Sequence, residues 1–180
     1  MSGHSDLTDK VLCENLSRVN DWLRYAESKN VALLSFCSAA VVGSLTAISI
    51  SSLGTQVRVD ALVVVPFWLI GIVCAIGSFL PTTRARKIIE STSKAEDNLL
   101  FFGNLRTLNP SEAGKFIAQR YIDPEGRELL PQYIIDIGEQ IVINSDIAGK
   151  KLALFNVGGM AVVIGLASLI VVLIVPLIHL

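Results

Sequence analysis

Three long runs without any charged residue or histidine constrain this chain more than any other feature. They extend from Asn30 to Val57, from Ala61 to Thr83 and from Leu152 to Ile178. Each exceeds the roughly 20 residues that a helix needs to cross about 30 Å of hydrocarbon. Because backbone N–H and C=O groups find no water inside a bilayer, such runs are expected to form α-helices. The sequence therefore predicts an all-α integral membrane protein with three transmembrane helices.

The distribution of lysine and arginine predicts the orientation of the spans. Basic residues precede the first span and flank the segment between the second and third spans, whereas the loop between the first two holds a single one, Arg58. Since basic residues near span ends are retained in the cytoplasm, the N-terminus and the middle segment are expected there, and the C-terminus outside. The predicted organisation is a cytoplasmic amphipathic helix at 1–29, spans at 30–53, 61–81 and 152–178, an external loop at 54–60 and a cytoplasmic helical segment at 82–151.

The stretch before the first span carries a helical seam. Its apolar residues follow each other at alternating steps of four and three, a narrow stripe that suits coiled-coil-like packing. They are Leu12, Leu16, Val19, Leu23 and Ala26. No proline interrupts this region, so the seam helix is expected to continue unbroken into the first span.

Residues 97–116, DNLLFFGNLRTLNPSEAGKF, predict the end of one helix and the start of another. DNLLFF is expected to end the helix that continues the second span, with Gly103 as its glycine stop. In NPSE, Asn109 is expected to cap a new helix, with Pro110 at its first position and Glu112 three residues after the cap.

The rest of the middle segment predicts a turn and a third helix. DPEG at 123–126 has the proline and glycine positions of a turn, and an apolar face of Ile134, Ile137, Ile141 and Ala148 then leads into the third span. The cytoplasmic extensions of the three spans are expected to pack into a small helical bundle, with 104–130 as a connector.

Small residues recur at steps of four in each span and allow two helix backbones to approach closely. Such ridges either pack neighbouring helices of one subunit or form a contact between subunits. The residues are Ser35, Ala39, Gly43 and Ala47 in the first span, Gly71 and Ala75 in the second, and Ala161 and Gly165 in the third.

The residue patterns of enzymes and ion-coupled transporters are not found in this sequence. Proton-coupled transport usually needs ionisable groups at depth in the membrane, and the spans have none. The sequence has no phosphate-binding glycine loop and no nucleophile elbow, and its histidines, His4 and His179, are predicted on opposite sides of the membrane. We therefore expect no catalytic residue, no metal and no cofactor.

Polar residues near the membrane are the remaining candidates for function. Lys29, Lys150 and Lys151 could extend towards the interface or bind a ligand. Gln140 and Asn144 lie one helical turn apart, and Asn144 stands where the apolar stripe predicts a hydrophobic residue. A buried amide needs a hydrogen-bond partner, which could be another bundle residue or a ligand.

Three motifs, taken in order, resemble the Pycsar membrane effector family, PycTM. They are AESKN at 26–30, DNLLFFGN at 97–104 and IVINSDIAGKK at 141–151, separated by the uncharged runs. The resemblance covers nearly the whole chain. It implies an antiphage effector of the bacterial inner membrane, paired with a cyclase that makes cyclic UMP or cyclic CMP. The partners that it implies are the lipid bilayer, this cyclic nucleotide messenger and further copies of the chain, but no nucleic acid polymer. Binding of the messenger would trigger membrane damage and abortive infection.

The resemblance also points to polar and aromatic positions within the motifs. These are Glu27, Lys29, Asn30, Asn98, Phe101, Phe102, Gly103, Asn104, Gln140, Asn144, Ser145 and Lys151. Two positions depart from the family pattern: Glu27 stands where aspartate is common, and Gly149 is expected to loosen the start of the third span.

A cyclic mononucleotide would need an aromatic ring to stack on its base and a cation to bind its phosphate. Phe101 or Phe102 is the expected stacking residue. The expected cation is Arg18, Arg24 or Lys87, and Gln140 or Asn144 could bind the edge of the base.

Two other functions fit the same sequence. The chain could be a membrane anchor whose cytoplasmic bundle docks a partner protein, or a holin-like protein that acts without a ligand.

Overall fold

The computed structural model describes residues 2–50, 52, 54–80, 98–121 and 132–178 of the 180-residue chain. Its helices are α1 (Ser2–Ser49), α2 (Thr55–Phe79), α3 (Phe102–Leu105), α4 (Pro110–Tyr121) and α5 (Gln132–Ile178). No strand occurs in these ranges. Helices α1, α2 and α5 are long and apolar enough to cross a membrane. The predicted all-α class with three membrane-spanning helices is confirmed.

The chain divides into two compact units. The bundle unit comprises Met1–Tyr25 and Pro81–Lys150, and the span unit comprises Ala26–Leu80 and Lys151–Leu180. Helices α1 and α5 each contribute residues to both units, whereas α3 and α4 belong to the bundle unit and α2 to the span unit.

Helix α1 is unbroken over 48 residues, a length of about 72 Å at 1.5 Å per residue. The prediction that the seam helix continues into the first span is confirmed. Along the seam, Leu12, Val19 and Ala26 are fully buried. Leu16 and Leu23 are half-buried.

An aliphatic core holds the bundle unit together. Leu12 from α1, Leu105 from α3, Ile117 from α4 and Ile141 from α5 are all completely buried in it. The predicted apolar face of α5 is buried along its length, as Ile134, Ile137, Ile141 and Ala148 show. Residues of the predicted connector are therefore part of the core.

Helices α4 and α5 cross at a pair of glycines, Gly114 and Gly138. A Cβ atom on Gly138 would overlap the backbone of Gly114, and a Cβ atom on Gly114 would lie 2.8 Å from the Ile134 carbonyl oxygen. Only glycine lets the two helices come this close, because any side chain would push the backbones apart.

The start of α4 follows the predicted capping pattern. The Ser111 N–H donates to Asn109 Oδ1 over 3.3 Å, and the Glu112 N–H donates to the Asn109 carbonyl over 3.1 Å. Pro110 is the first residue of the helix. These bonds satisfy two N–H groups that the helix itself leaves without partners.

The span unit has a smaller core, in which Leu33 and Cys37 of α1 meet Trp68 of α2. Gly71 and Gly158 bring α2 and α5 together, since a Cβ atom on Gly158 would lie 3.4 Å from the Gly71 Cα atom. Among the predicted small-residue positions, those of the second and third spans, Gly71, Ala75, Ala161 and Gly165, are buried.

The small-residue ridge of the first span lies on the uncovered side of α1. Ser35, Ala39 and Gly43 are exposed, Ala47 is half-buried, and nothing lies within 4 Å of a Cβ atom built on Gly43. Within one chain, α1 packs through the opposite face, which bears Leu33 and Cys37.

Two element boundaries differ from the sequence prediction. Helix α2 begins at Thr55, so most of the loop predicted at 54–60 is helical. The same helix ends at Phe79, with Leu80 in an extended conformation. The predicted continuation at 82–97 and the DPEG turn at 123–126 lie outside the described residues.

Candidate functional site

Four aromatic side chains form a cluster on the bundle unit. Trp22 lies 5.7 Å from Tyr25 and 5.1 Å from Phe102 between ring centroids, and Phe102 lies 4.9 Å from Phe101. Phe101 and Tyr25 are each 47% exposed, so two rings of the cluster remain accessible. We call Trp22, Tyr25, Phe101 and Phe102 the aromatic cluster.

A hydrogen-bonded turn positions the two phenylalanines. The Leu100 N–H donates to Asn98 Oδ1 over 2.9 Å, and the Phe101 N–H donates to the Asn98 carbonyl over 3.2 Å. Asn104 Nδ2 also donates to the Asn98 carbonyl, over 3.1 Å. Asn98, a position to which the resemblance points, and Asn104, a ligand candidate, therefore stabilise this turn.

The glycine stop predicted at Gly103 is wrong. Residues 98–101 form a turn and a bend, and Gly103 lies inside the short helix α3. A Cβ atom on Gly103 would overlap the Phe101 ring. Glycine is needed here so that Phe101 can fold back over α3.

Arg18 lies one helical turn before Trp22 on α1. It lines a cleft of about 280 Å³ with Asp21, Trp22 and Tyr25. It also lines a second cleft of about 240 Å³, whose other walls include Asn15, Leu100 and Tyr121. Arg18 Nη1 donates to Asn15 Oδ1 over 3.4 Å, which orients the guanidinium group between the two clefts.

Buried Asn15 ties α1 to the turn that carries the phenylalanines. Its Nδ2 donates to the Leu99 carbonyl over 3.3 Å, while its Oδ1 accepts from Arg18. Asn15 is only 1% exposed, so both ends of a buried amide are satisfied, as buried polar groups require.

The other predicted cations are Arg24 and Lys87. Arg24 pairs with Asp21 over 3.6 Å, and both side chains are largely exposed, an arrangement that contributes little to stability. Lys87 lies outside the described residues.

Asn144 has a partner within the bundle unit. Its Nδ2 donates to Asn20 Oδ1 over 2.9 Å, which joins α5 to α1. The neighbouring Ser145 is buried and donates to the Ile141 carbonyl over 2.6 Å. Gln140 is exposed and so is the more accessible of the two predicted amides.

Gly149 makes room for an ionic cluster. A Cβ atom on Gly149 would overlap the Arg106 guanidinium group, and Arg106 Nη2 lies 3.3 Å from Asp146 Oδ1. Lys150 Nζ lies 2.6 Å from the other oxygen of Asp146. Helix α5 continues without a break through this position.

The remaining predicted residues belong to the span unit. Lys151 Nζ donates to Glu27 Oε1 over 2.8 Å, and Asn30 Nδ2 donates to the Lys151 carbonyl over 3.0 Å. Lys29 Nζ lies 4.8 Å from the centre of the Phe155 ring. These contacts join α1 to α5, while Asn30 Oδ1 is buried without a hydrogen-bond partner.

Trp22 and Tyr25 were not predicted as site residues from the sequence, although their spacing from Arg18 is a helical pattern. Arg18, Trp22 and Tyr25 follow each other at steps of four and three, which places all three on one face of a helix. No group of three or more metal-binding side chains occurs within the described ranges.

The fold defines a multi-span helical membrane protein with a separate helical bundle unit. The chain belongs to the family described as Pycsar effector protein domain, PycTM, which matches residues 11–178. A Pycsar effector protein of a Rhizobium species, RsPycTM, is 31% identical over 163 residues, which cover 87% of this chain and 89% of that protein. The resemblance noted in the sequence is confirmed, and it places the chain among the membrane effectors of Pycsar antiviral defence. No solved structure matches the chain.

Proposed function

We propose that this chain senses a cyclic pyrimidine mononucleotide, cyclic UMP or cyclic CMP, and then disrupts the bacterial inner membrane. The bundle unit would face the cytoplasm and bind the messenger, the C-terminus would be periplasmic, and the damage would end the infected cell by abortive infection. Membership of the Pycsar effector family supports the role in defence.

The aromatic cluster beside Arg18 is the observation that carries the proposal for the ligand. The exposed ring of Phe101 offers a face for the pyrimidine base; Phe102 packs against Phe101, and Trp22 packs against Phe102. Stacking of one base on an aromatic side chain contributes about 1–3 kcal/mol in nucleic-acid sites. Any pyrimidine could stack in this way, so the choice between uracil and cytosine would depend on hydrogen bonds.

Arg18 is the best-placed group for the cyclic phosphate. A guanidinium group binds phosphate oxygens through charge-assisted hydrogen bonds, and Arg18 borders both clefts. Asp21 lines one cleft and Glu14 the other. Asp21 is partly neutralised by Arg24, which reduces its repulsion of an anion.

Each cleft alone is small for a nucleotide. Their volumes, about 280 and 240 Å³, fall below the roughly 300–1,000 Å³ of typical small-molecule sites. A rearranged bundle, or a second subunit, would complete the site. A ligand shifts a conformational equilibrium only if it binds one state more tightly than the other, and a site completed in the active state meets this condition.

The continuous helices offer a route from binding to membrane damage. Helices α1 and α5 contribute residues to both units without a break. Repacking of these helices around the messenger would therefore change the packing of the spans, through reorganisation within one subunit or through oligomerisation.

Binding measurements on the full chain in detergent test the ligand site. Isothermal titration calorimetry with cyclic UMP and cyclic CMP should show binding of at least one of them. Phe101→Ala should weaken it about 5- to 150-fold, the equivalent of one stacked base, and Arg18→Ala should weaken it further. Phe116→Ala, which removes a similarly exposed ring from α4, is the matched control and should not change the affinity. Equal affinity for wild type, Phe101→Ala and Arg18→Ala would refute this site.

Growth of cells that express the chain separates the proposal from its alternatives. Growth should stop only when the cognate nucleotide cyclase is expressed as well. Toxicity without the cyclase would favour a holin-like protein, and no toxicity with it would favour a docking module.

A further inference from the structure

Four charged or amide side chains line the two clefts beside the aromatic cluster, and three of them already have a partner in the bundle unit. Asn15 and Arg18 are hydrogen-bonded to each other, and Asp21 pairs with Arg24. The fourth is Glu14, which is exposed and has no hydrogen bond or ion pair among the described residues. Of this set, Glu14 is therefore the group that can bind a ligand without losing an existing contact.

Glu14 and Arg18 line the same cleft, together with Leu100. They lie four residues apart on α1, and residues at this spacing are neighbours on one face of a helix. Leu100 precedes Phe101 in the chain, so the cleft borders the turn that carries the proposed stacking residue. A nucleotide whose phosphate binds Arg18 and whose base stacks on Phe101 would therefore bring an edge of the base towards Glu14.

Cytosine and uracil differ in what this edge offers to a carboxylate. A carboxylate accepts hydrogen bonds and cannot donate one. Cytosine carries an amino group at N4, which is a usual partner of glutamate and aspartate in the recognition of bases. Uracil carries an acceptor, O4, at the same position, and its single N–H lies between two carbonyl oxygens, which repel a carboxylate.

A second polar group of the same cleft does not distinguish the two bases. Tyr121 lines the cleft, and a phenolic O–H can donate to N3 of cytosine or accept from N3–H of uracil. Repulsion between Glu14 and the cyclic phosphate lowers the affinity for both nucleotides alike, so it leaves the ratio of the two affinities unchanged. Specificity is this ratio, and the carboxylate is the group that affects it.

We propose that Glu14 selects the base of the messenger by accepting a hydrogen bond from the cytosine amino group, so that this chain prefers cyclic CMP to cyclic UMP. The inference rests on the proposed function, which requires a cyclic pyrimidine mononucleotide but does not distinguish the bases. Gln140 and Asn144, the amides expected from the sequence at the base edge, line neither cleft. An amide both donates and accepts, so it would not give the same preference.

Isothermal titration calorimetry on the full chain in detergent, with cyclic CMP and cyclic UMP in parallel, tests the preference. Wild type should bind cyclic CMP about 5- to 150-fold more tightly, the discrimination that one specific side-chain contact to a base provides. Glu14→Gln should bring the two affinities close together, because a carboxamide can bind either base. Since Glu14 is exposed, this variant should unfold at the same temperature as wild type.

Glu112→Gln is the matched control. Glu112 is an exposed carboxylate of α4 that lines neither cleft, so its variant should keep the wild-type ratio of affinities. Binding of neither nucleotide would overturn the proposed function and this inference with it. Binding of both, with equal affinities or with cyclic UMP the tighter, would overturn the base preference alone. A preference for cyclic CMP that persists in Glu14→Gln would show that Glu14 does not select the base.

Discussion

In the bundle unit, α1, α4 and α5 meet around a core of leucine and isoleucine side chains, whereas in the span unit α1, α2 and α5 meet at glycines and a smaller core. The two cores differ because burial from water stabilises a core in water but not a core within lipid. Burying an aliphatic side chain away from water is favourable, but lipid tails are as apolar as leucine, so helices in a bilayer gain little from it. The span unit depends instead on close approach of helix backbones and on hydrogen bonds at the end that bears Glu27 and Lys151. Asn30 and Lys151 make these hydrogen bonds.

The largest expected effect is at the glycine crossing of the bundle unit. Gly138→Leu should separate α4 from α5, because even a Cβ atom at this position overlaps the Gly114 backbone. The cost should exceed the roughly 1–3 kcal/mol typical of overpacking. Hydrogen exchange measured on the purified protein should show lost protection of α4. Gly43→Leu, at a glycine with no neighbour within 4 Å, should leave exchange unchanged; equal protection in both variants would contradict the crossing.

The next largest effect is the difference between the costs of removing one aliphatic side chain from each core. Ile141→Ala should lower the free energy of unfolding of the bundle unit by about 2–5 kcal/mol, because the cavity cost adds to the lost burial from water. Leu33→Ala should cost the span unit less than half as much, since only packing is lost.

The two tryptophans allow the two costs to be measured separately, because Trp22 belongs to the bundle unit and Trp68 to the span unit. Each substitution is combined with Trp68→Phe or Trp22→Phe, so that the fluorescence of one unit is followed during denaturation. A Leu33→Ala cost equal to that of Ile141→Ala would contradict the proposed difference between the units.

A smaller effect distinguishes two buried asparagines. Asn15→Leu should cost about 1–3 kcal/mol, because it removes the side-chain partner of the Leu99 carbonyl. Asn30→Leu should cost less, since Asn30 Oδ1 is already without a partner and the Lys151 carbonyl lies within continuous α5. Thermal unfolding of both variants in detergent checks the order. The reverse order would show that Asn30 contributes more than its hydrogen bonds indicate.

The smallest effect concerns thiol reactivity. Burial raises the pKa of the Cys13 thiol, and the hydrogen bond to Asp9 and the Asp9 charge raise it further. A raised pKa leaves less thiolate near neutral pH, so alkylation by a membrane-impermeant maleimide should be slow and should accelerate with increasing pH. Asp9→Asn should lower the pKa and increase the rate at about pH 7.5.

The same maleimide should distinguish the cysteine of the bundle unit from the cysteines of the span unit by their reactivity. Cys37 and Cys74 lie in the span unit and should not react in intact membranes. Labelling of Cys13 in inside-out vesicles, and not in right-side-out cells, is the outcome expected from the predicted orientation. If Asp9→Asn leaves the alkylation rate of Cys13 unchanged, Asp9 does not raise the pKa of this thiol.

The sequence predicted the parts of this fold that depend on periodicity. The apolar residues of α1 and α5 recur at helical spacing, and Asn109 fits the local pattern of a helix cap. These features could therefore be predicted without information on the tertiary structure. The same residues could not reveal the crossing of Gly114 and Gly138, because a close approach involves residues from two helices.

The candidate site was predicted only in part for the same reason. Arg18, Phe101 and Phe102 were selected from motif and chemistry. Trp22 was missed because its role depends on the Asn98 turn, which brings Phe102 onto α1. Asn104 was selected as a ligand candidate, and its side chain donates to the Asn98 carbonyl in this turn.

Release of a trapped dye from proteoliposomes that contain the purified chain tests the central claim most directly. We predict that cyclic UMP or cyclic CMP triggers release in wild type, that linear 5′-UMP and 5′-CMP do not, and that Arg18→Ala abolishes the response. Release at the same rate with and without cyclic nucleotide, or no release at any concentration that saturates binding, would contradict the account.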